Sequence, residues 1–272
     1  GAMAPAALRD WPGSAHQPSA PTVVTSPRVT PSPVEGREIA VQAEGERFEM
    51  EILDVRVGSV EAEGYRTVTL ATSRGDVECR HYPAPNATRA ALWVPGAIGG
   101  WHTPAGDLYP RLSREFLAED VTSLQVLYRQ AAMLGECILD LLAGLAYLEG
   151  EGVEAVSFTG HSFGGAVVIQ AGAASPLTRT VVTLATQGYG ADAVTRLPDD
   201  ASILLVHGTA DQILPPASSE RVYARAHEPK RLMLYPGANH NLDQVAAEVH
   251  DLVHDWILQA LTDPAGTATP TG

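Results

Sequence analysis

The stretch Ala155-Val156-Ser157-Phe158-Thr159-Gly160-His161-Ser162-Phe163-Gly164-Gly165-Ala166-Val167-Val168-Ile169 decides the reading of this sequence. A short apolar run, a G-x-S-x-G turn and a small-residue helix follow one another. That order is the nucleophile elbow, in which a serine sits on a strained strand-to-helix turn with its hydroxyl at the mouth of a sheet. Glycines at 160 and 164 are required because a Cβ at either place would clash inside so sharp a turn.

Strands and helices alternate outward from the elbow. Residues 90–94, 123–128, 155–159, 181–185, 203–207 and 232–235 read as apolar strands. Residues 108–118, 135–149 and 243–261 read as helices, the second with apolar residues at 138, 141, 142, 145 and 148. Such alternation implies right-handed βαβ crossovers and a mostly parallel sheet with helices on both faces. Upstream, residues 47–53, 65–70 and 77–82 read as strands, with a turn at 73–76, and form an antiparallel N-terminal portion. Residues 1–36 hold seven prolines among Ala, Ser and Thr and read as a flexible arm. One domain over 37–262 and a flexible tail over 263–272 complete the organisation.

A serine hydroxyl needs a base, and the base needs an acid to fix its tautomer. On an elbow fold these come in the chain order Ser, Asp or Glu, then His, beyond the carboxyl ends of strands. Asp211, in His207-Gly208-Thr209-Ala210-Asp211, directly follows the strand ending at 206 or 207. His240, in Gly237-Ala238-Asn239-His240, directly follows the strand ending at 235. Asp243 is a rival acid on the start of a helix. His207 reads as a structural residue ending a buried strand, and His161 as a support for the turn.

These three motifs together resemble the α/β-hydrolase superfamily over residues 89–261, and within it the dienelactone-hydrolase-like group of bacterial proteins. True dienelactone hydrolases carry cysteine at the elbow, where this chain has Ser162. The resemblance therefore implies a serine hydrolase acting on general carboxylic esters, with Ser162, Asp211 and His240 as its triad. It also implies an oxyanion hole made by the backbone N–H groups of Phe163 and Ala97, with Ile98 second. The loop that carries Ala97 begins with Pro95, where many relatives have histidine. The shared triad leaves thioesters, amides and peptides open as substrates. A catalytically silent binding protein on the same fold is a further alternative.

Trp101 and His102 follow the oxyanion loop, and Gln187 and Tyr189 follow the strand at 181–185, so all four are candidates to border substrate, as is Ile98. Arg129 is a candidate for an anionic substrate group, the commoner alternative being a structural ion pair. Only residues 186–202 separate two strands where lipases insert a lid, so the site is expected to be open. His250 and His254 have metal-ligand spacing. With Asp251 and Asp255 read as facing elsewhere and no third ligand evident, a solvated helix face is expected, and neither metal nor organic cofactor.

A formal charge of −14 over 272 residues argues against nucleic acid or an anionic membrane as partner. Cys79 and Cys137 are too few for a disulfide framework and read as buried filler. No run reaches the roughly 18 apolar residues of a membrane span. Gly1-Ala2-Met3-Ala4 reads as a remnant of cloning. The expectation is a cytoplasmic protein, or an exported one whose leader was removed, acting on a small-molecule ester. Oligomeric state is left open.

Overall fold

In the computed structural model, residues 32–262 are described. The expected arm up to residue 31 and the tail from 263 lie outside them. Ten strands form one sheet in the order β1-β2-β3-β4-β6-β5-β7-β8-β9-β10. β1 (Glu38–Ala43), β2 (Glu46–Val60), β3 (Arg66–Thr72) and β4 (Gly75–Tyr82) pair antiparallel, and β4 joins β6 (Val121–Val126) antiparallel. From β6 the sheet runs parallel through β5 (Arg89–Val94), β7 (Ala155–His161), β8 (Thr178–Leu184), β9 (Ser202–Gly208) and β10 (Lys230–Tyr235).

The apolar strands are buried on both faces because each supplies two cores. Along β5, Ala90, Leu92 and Val94 enter one core while Ala91 and Trp93 enter the other. β9 divides Ile203 and Leu205 from Leu204 and Val206 in the same way. The first core is capped by α2 (Leu134–Gly150), α3 (Phe163–Ala174) and α4 (Ala217–Arg225). The second is capped by α1 (Pro104–Glu115) and α5 (Ala246–Thr262). The helices thus lie on both faces, as expected.

Two elements exceed the sequence expectation. β1 buries Ile39, Val41 and Ala43 on alternate positions, and α4 was not anticipated. Residues 32–36, assigned to the arm, form a turn whose Val34 is buried. The Val34 side chain lies 2.6 Å from where a Cβ on Gly150 would stand. At the start of α1, Ala105, Gly106 and Asp107 hold φ of 50°, 62° and 60°, so the right-handed helix begins at Leu108. Between β8 and β9, residues 185–201 hold one short 3-10 helix, Ala191–Arg196, in place of a lid.

Candidate active site

Ser162 stands between β7 and α3 with φ 57° and ψ −119°, a conformation that costs an L-residue about 1–3 kcal/mol. The surroundings hold it there. Its N–H donates to the Leu184 carbonyl at 2.8 Å, and its own carbonyl accepts from Gly165 at 3.0 Å and Gln187 at 3.3 Å. A Cβ on Gly160 would run into the Gly164 carbonyl, and one on Gly164 into the Pro95 carbonyl. Both glycines are therefore obligatory, as the motif demanded. The Tyr128 hydroxyl donates to that same Pro95 carbonyl at 3.2 Å and fixes the neighbouring loop.

Asp211 and His240, the candidate acid and base, are carried by two loops stapled together. Thr209 and Ala210 donate their N–H groups to the carbonyls of Tyr235 and Ala238, and Gly237 N–H donates to Thr209 Oγ1 at 3.0 Å. Gly208 has no room for a Cβ, because the Ala238 carbonyl fills that place. From these loops, His240 Nδ1 donates to Asp211 Oδ2 at 2.7 Å, which leaves Nε2 unprotonated in the neutral ring. Asp211 Oδ1 accepts the N–H groups of Ile213 at 2.8 Å and Leu214 at 2.9 Å. Burial pushes the Asp211 carboxyl up, but the His240 hydrogen bond and these two backbone donors outweigh it and hold it below its ordinary value.

His207 shares Asp211 Oδ2. Its Nε2 faces that oxygen at 3.0 Å and the Leu214 carbonyl at 3.1 Å, both acceptors, so Nε2 carries the proton. Ser219 Oγ then donates to Nδ1 at 2.7 Å. The structural role expected for His207 is the one it has, and the link to Asp211 gives that role a purpose. His161 Nε2 donates to the His240 carbonyl at 3.0 Å, with the two rings 4.7 Å apart. The residue beside Ser162 thus grips the backbone of His240. Burial lowers His161 to about 4, so it stays neutral near pH 7. Among the described residues no hydrogen bond joins Ser162 Oγ to His240; such bonds are often long in unliganded sites. Asp243, the rival acid, is exposed and accepts only a long bond from Gly106 N–H.

The Ala97 loop lies against the elbow. Gly96 brings the place its Cβ would occupy to 3.4 Å from Ser162 Cβ, and a turn closes by Gly99 N–H to the Gly96 carbonyl at 3.0 Å. Ala97 and Ile98 form the exposed tip of that turn. Among the described residues, neither the Ala97 N–H nor the Phe163 N–H takes a protein acceptor.

Arg129 takes the commoner of its two expected roles, a structural ion pair. Its guanidinium is buried and bonds Asp140, Glu136 at 2.9 Å and the Arg74 carbonyl at 2.8 Å, because α2 brings two carboxylates under it. Asp140, buried among the apolar residues of α2, is the anchor of this network; burial raises it to about 6 despite Arg129. Trp101 stacks on the Arg80 guanidinium at 4.3 Å, a packing role. His102 is exposed near His161. The Gln187 side chain folds onto the Tyr189 carbonyl, while Tyr189 is exposed and bonds Glu44 through its hydroxyl at 2.7 Å.

Asp251 and Asp255 do not face away. Each carboxylate lies 2.9 Å from Nδ1 of the histidine before it, and Glu115 reaches His250 Nε2 at 2.8 Å, since α1 runs beside α5. Among the described residues no three or more His, Cys, Asp or Glu converge as a metal site, and no helix is long and apolar enough to cross a membrane. Cys79 and Cys137 are free and buried.

No family model matches the sequence. It is 41% identical over 63 residues to YfhR of Escherichia coli K12, covering 22% of each chain. It is 32% identical over 71 residues to YfhR of Salmonella typhimurium, covering 26% of this chain and 24% of that one. The matches thus span less than a quarter of these curated relatives. Solved structures resemble far more of it. A putative alpha/beta hydrolase from Agrobacterium tumefaciens gives a TM-score of 0.61 at 20% identity over 73% of this chain and 98% of that chain. Dienelactone hydrolase from Anabaena variabilis gives 0.61 at 17% over 76% and 98%. A serine hydrolase without lid from Xanthomonas campestris gives 0.60 at 18% over 77% and 100%. With its sheet order, its strained serine turn and these likenesses together, the chain has the α/β-hydrolase fold, close in shape to dienelactone hydrolase and to a lidless serine hydrolase.

Proposed function

We propose that this chain is a serine hydrolase that cleaves carboxylic esters through an acyl-enzyme. The observation that carries the reading is the strained Ser162 turn, gripped through His161 to a histidine whose Nδ1 is already bonded to Asp211. His240 Nε2 takes the Ser162 proton as Oγ attacks the ester carbonyl. The N–H groups of Phe163 and Ala97 stabilise the oxyanion, and Asp211 stabilises the imidazolium. His240 then returns the proton to the leaving alcohol. It next activates a water that cleaves the acyl group from Ser162 and releases the acid. Nothing in this sequence of steps calls for a metal or cofactor. The likeness in fold to solved hydrolases and to an esterase domain supports the class of reaction.

The test is turnover of p-nitrophenyl acetate. Wild-type protein should hydrolyse it with saturation, and Ser162→Ala should lose at least about a thousandfold in kcat/KM. Equal turnover by the two proteins would contradict the proposal.

A further inference from the structure

The chain enters α1 through three successive residues in the left-handed region. Ala105, Gly106 and Asp107 stand at φ/ψ of 50°/52°, 62°/57° and 60°/42°, one turn of left-handed helix. Glycine takes that conformation freely and Asp tolerates it, but L-residues visit it singly rather than in runs. Pro104, just before them, has a ring-fixed φ that suits the first position of a right-handed helix, yet the chain turns the other way. Such a turn persists only where its surroundings over-determine it.

Those surroundings lead to His240. Ala105 is fully buried, and its N–H donates to the Asn241 carbonyl at 2.8 Å. The preceding carbonyl, that of His240 itself, accepts from His161 Nε2 at 3.0 Å. Two successive carbonyls of this loop are thus gripped, one from the start of α1 and one from the elbow. Leu242, next in the chain, is itself left-handed at φ 62°, so both sides of the Ala105–Asn241 bond are held in sparsely populated backbone.

Thr103 closes the far end of the turn. Its Oγ1 accepts the Tyr109 N–H at 3.0 Å, one of the orphan donors of the right-handed helix that begins at Leu108. Pro110, next, has no N–H to satisfy. Tyr109 in turn stacks on Trp93 with ring centroids 5.1 Å apart and donates its hydroxyl to the Val94 carbonyl at 3.1 Å. Val94 ends β5, one residue before Pro95 of the Ala97 loop. Residues 103–109 therefore tie the loop that carries His240 to the loop that carries Ala97.

We infer that this segment is a brace that sets the position of His240 for ester cleavage: the left-handed turn aims the Ala105 N–H at the Asn241 carbonyl, and the Thr103 hydroxyl closes the turn. This rests on the ester-hydrolase reading above. Thr103 and Asp107 are positioning residues that act through the backbone of the His240 loop. A misplacement of about 1 Å at a reacting group costs up to about a hundredfold in rate, so a relaxed turn should act on kcat rather than on KM. Asp107 isolates the backbone effect. Its side chain is exposed, and replacement by Val or by Gly removes the same charge. The two differ in backbone preference, since glycine takes φ 60° freely while a β-branched residue there is an outlier.

The experiment measures kcat and KM for p-nitrophenyl acetate, with kcat expressed per serine titrated to completion by a fluorophosphonate. Wild type is compared with Asp107→Val, Asp107→Gly, Thr103→Val and Thr103→Ser. Asp107→Val should fall at least about tenfold in kcat below Asp107→Gly, with KM within about twofold. Thr103→Val should fall by a similar factor of about ten below Thr103→Ser, which keeps the hydroxyl. Counting titrated serines removes any unfolded fraction from the rate, so a merely structural role would move Tm and leave kcat alone. Equal kcat within either pair, or a difference confined to KM, overturns the brace and leaves the hydrolase reading standing. If Asp107→Val does not fold, the Thr103 pair decides alone. No turnover by wild type, with no covalent labelling of Ser162, overturns the hydrolase reading and this inference with it.

Discussion

Ser162 shows how much a single position can ask of its neighbours. Its backbone is held at φ 57°, ψ −119° by three hydrogen bonds and by glycines that leave no space for a methyl. Replacing Gly160 by Ala puts a Cβ into the Gly164 carbonyl, backbone against backbone, with no side chain able to move aside. An overpacking cost of about 1–3 kcal/mol follows, which lowers Tm by roughly 2–4 °C per kcal/mol for a domain of this size. Calorimetry checks it: Gly160→Ala should melt lower and lose ester turnover, while an unchanged Tm would contradict the steric reading. Ser162, Asp211 and His240 stand out as candidates in the sequence because each follows its own strand within a short motif. The grip of His161 on the His240 carbonyl and the sharing of Asp211 by His207 do not. Both join residues that are distant in sequence or turned inward by loop geometry, and no spacing rule encodes them.

Elements were readable to the degree that their apolar pattern was strong. The parallel strands declared themselves as short continuous apolar runs, because both faces of the sheet are covered. β1 was missed although it alternates, since only Ile39, Val41 and Ala43 carry its buried face beside the proline-rich arm. α4 was missed because Val222 is its only large apolar buried residue. The loop after β6 left two roles open for Arg129. An arginine beyond a strand end resembles a substrate ligand, but α2 supplies Glu136 and Asp140 from a helix that otherwise reads as uniformly apolar. Arg129→Met should therefore cost stability, about 3–5 kcal/mol, because it leaves the buried Asp140 carboxylate without its cation, while Glu136 keeps its pairing with Arg74. KM for a neutral ester should stay within about twofold of wild type. Chemical denaturation together with Michaelis kinetics separates the two effects, and a raised KM at unchanged stability would restore Arg129 to the site.

Across the whole molecule, buried titratable groups set how the fold answers pH. His81, inside the sheet with Thr122 and Tyr147, is lowered to about 3 by burial and by Arg66, and His161 to about 4. Free histidine titrates near 6.5, so both contribute stability that is present above that pH and is lost as pH falls toward their folded values. Asp140, raised to about 6, acts in the opposite sense: its contribution is present below its unfolded value and lost as pH rises through 6. Each group changes stability by about 1.4 kcal/mol per pH unit within its window, so between pH 6 and 4 the two histidines outweigh the single carboxyl. Denaturant midpoints should therefore fall from pH 6 to pH 4, with a shallower fall in His81→Gln. A midpoint that rises over that range would refute this assignment. The same two-faced packing that keeps these groups dry holds the loops at one edge of the sheet, and those loops carry Ser162, Asp211 and His240. The most direct measurement of whether Ser162 is a nucleophile is covalent labelling with a fluorophosphonate, located by peptide mass spectrometry. The account predicts one adduct per chain, on Ser162, and none on Ser162→Ala; equal labelling of both proteins, or an adduct on another residue, would contradict it.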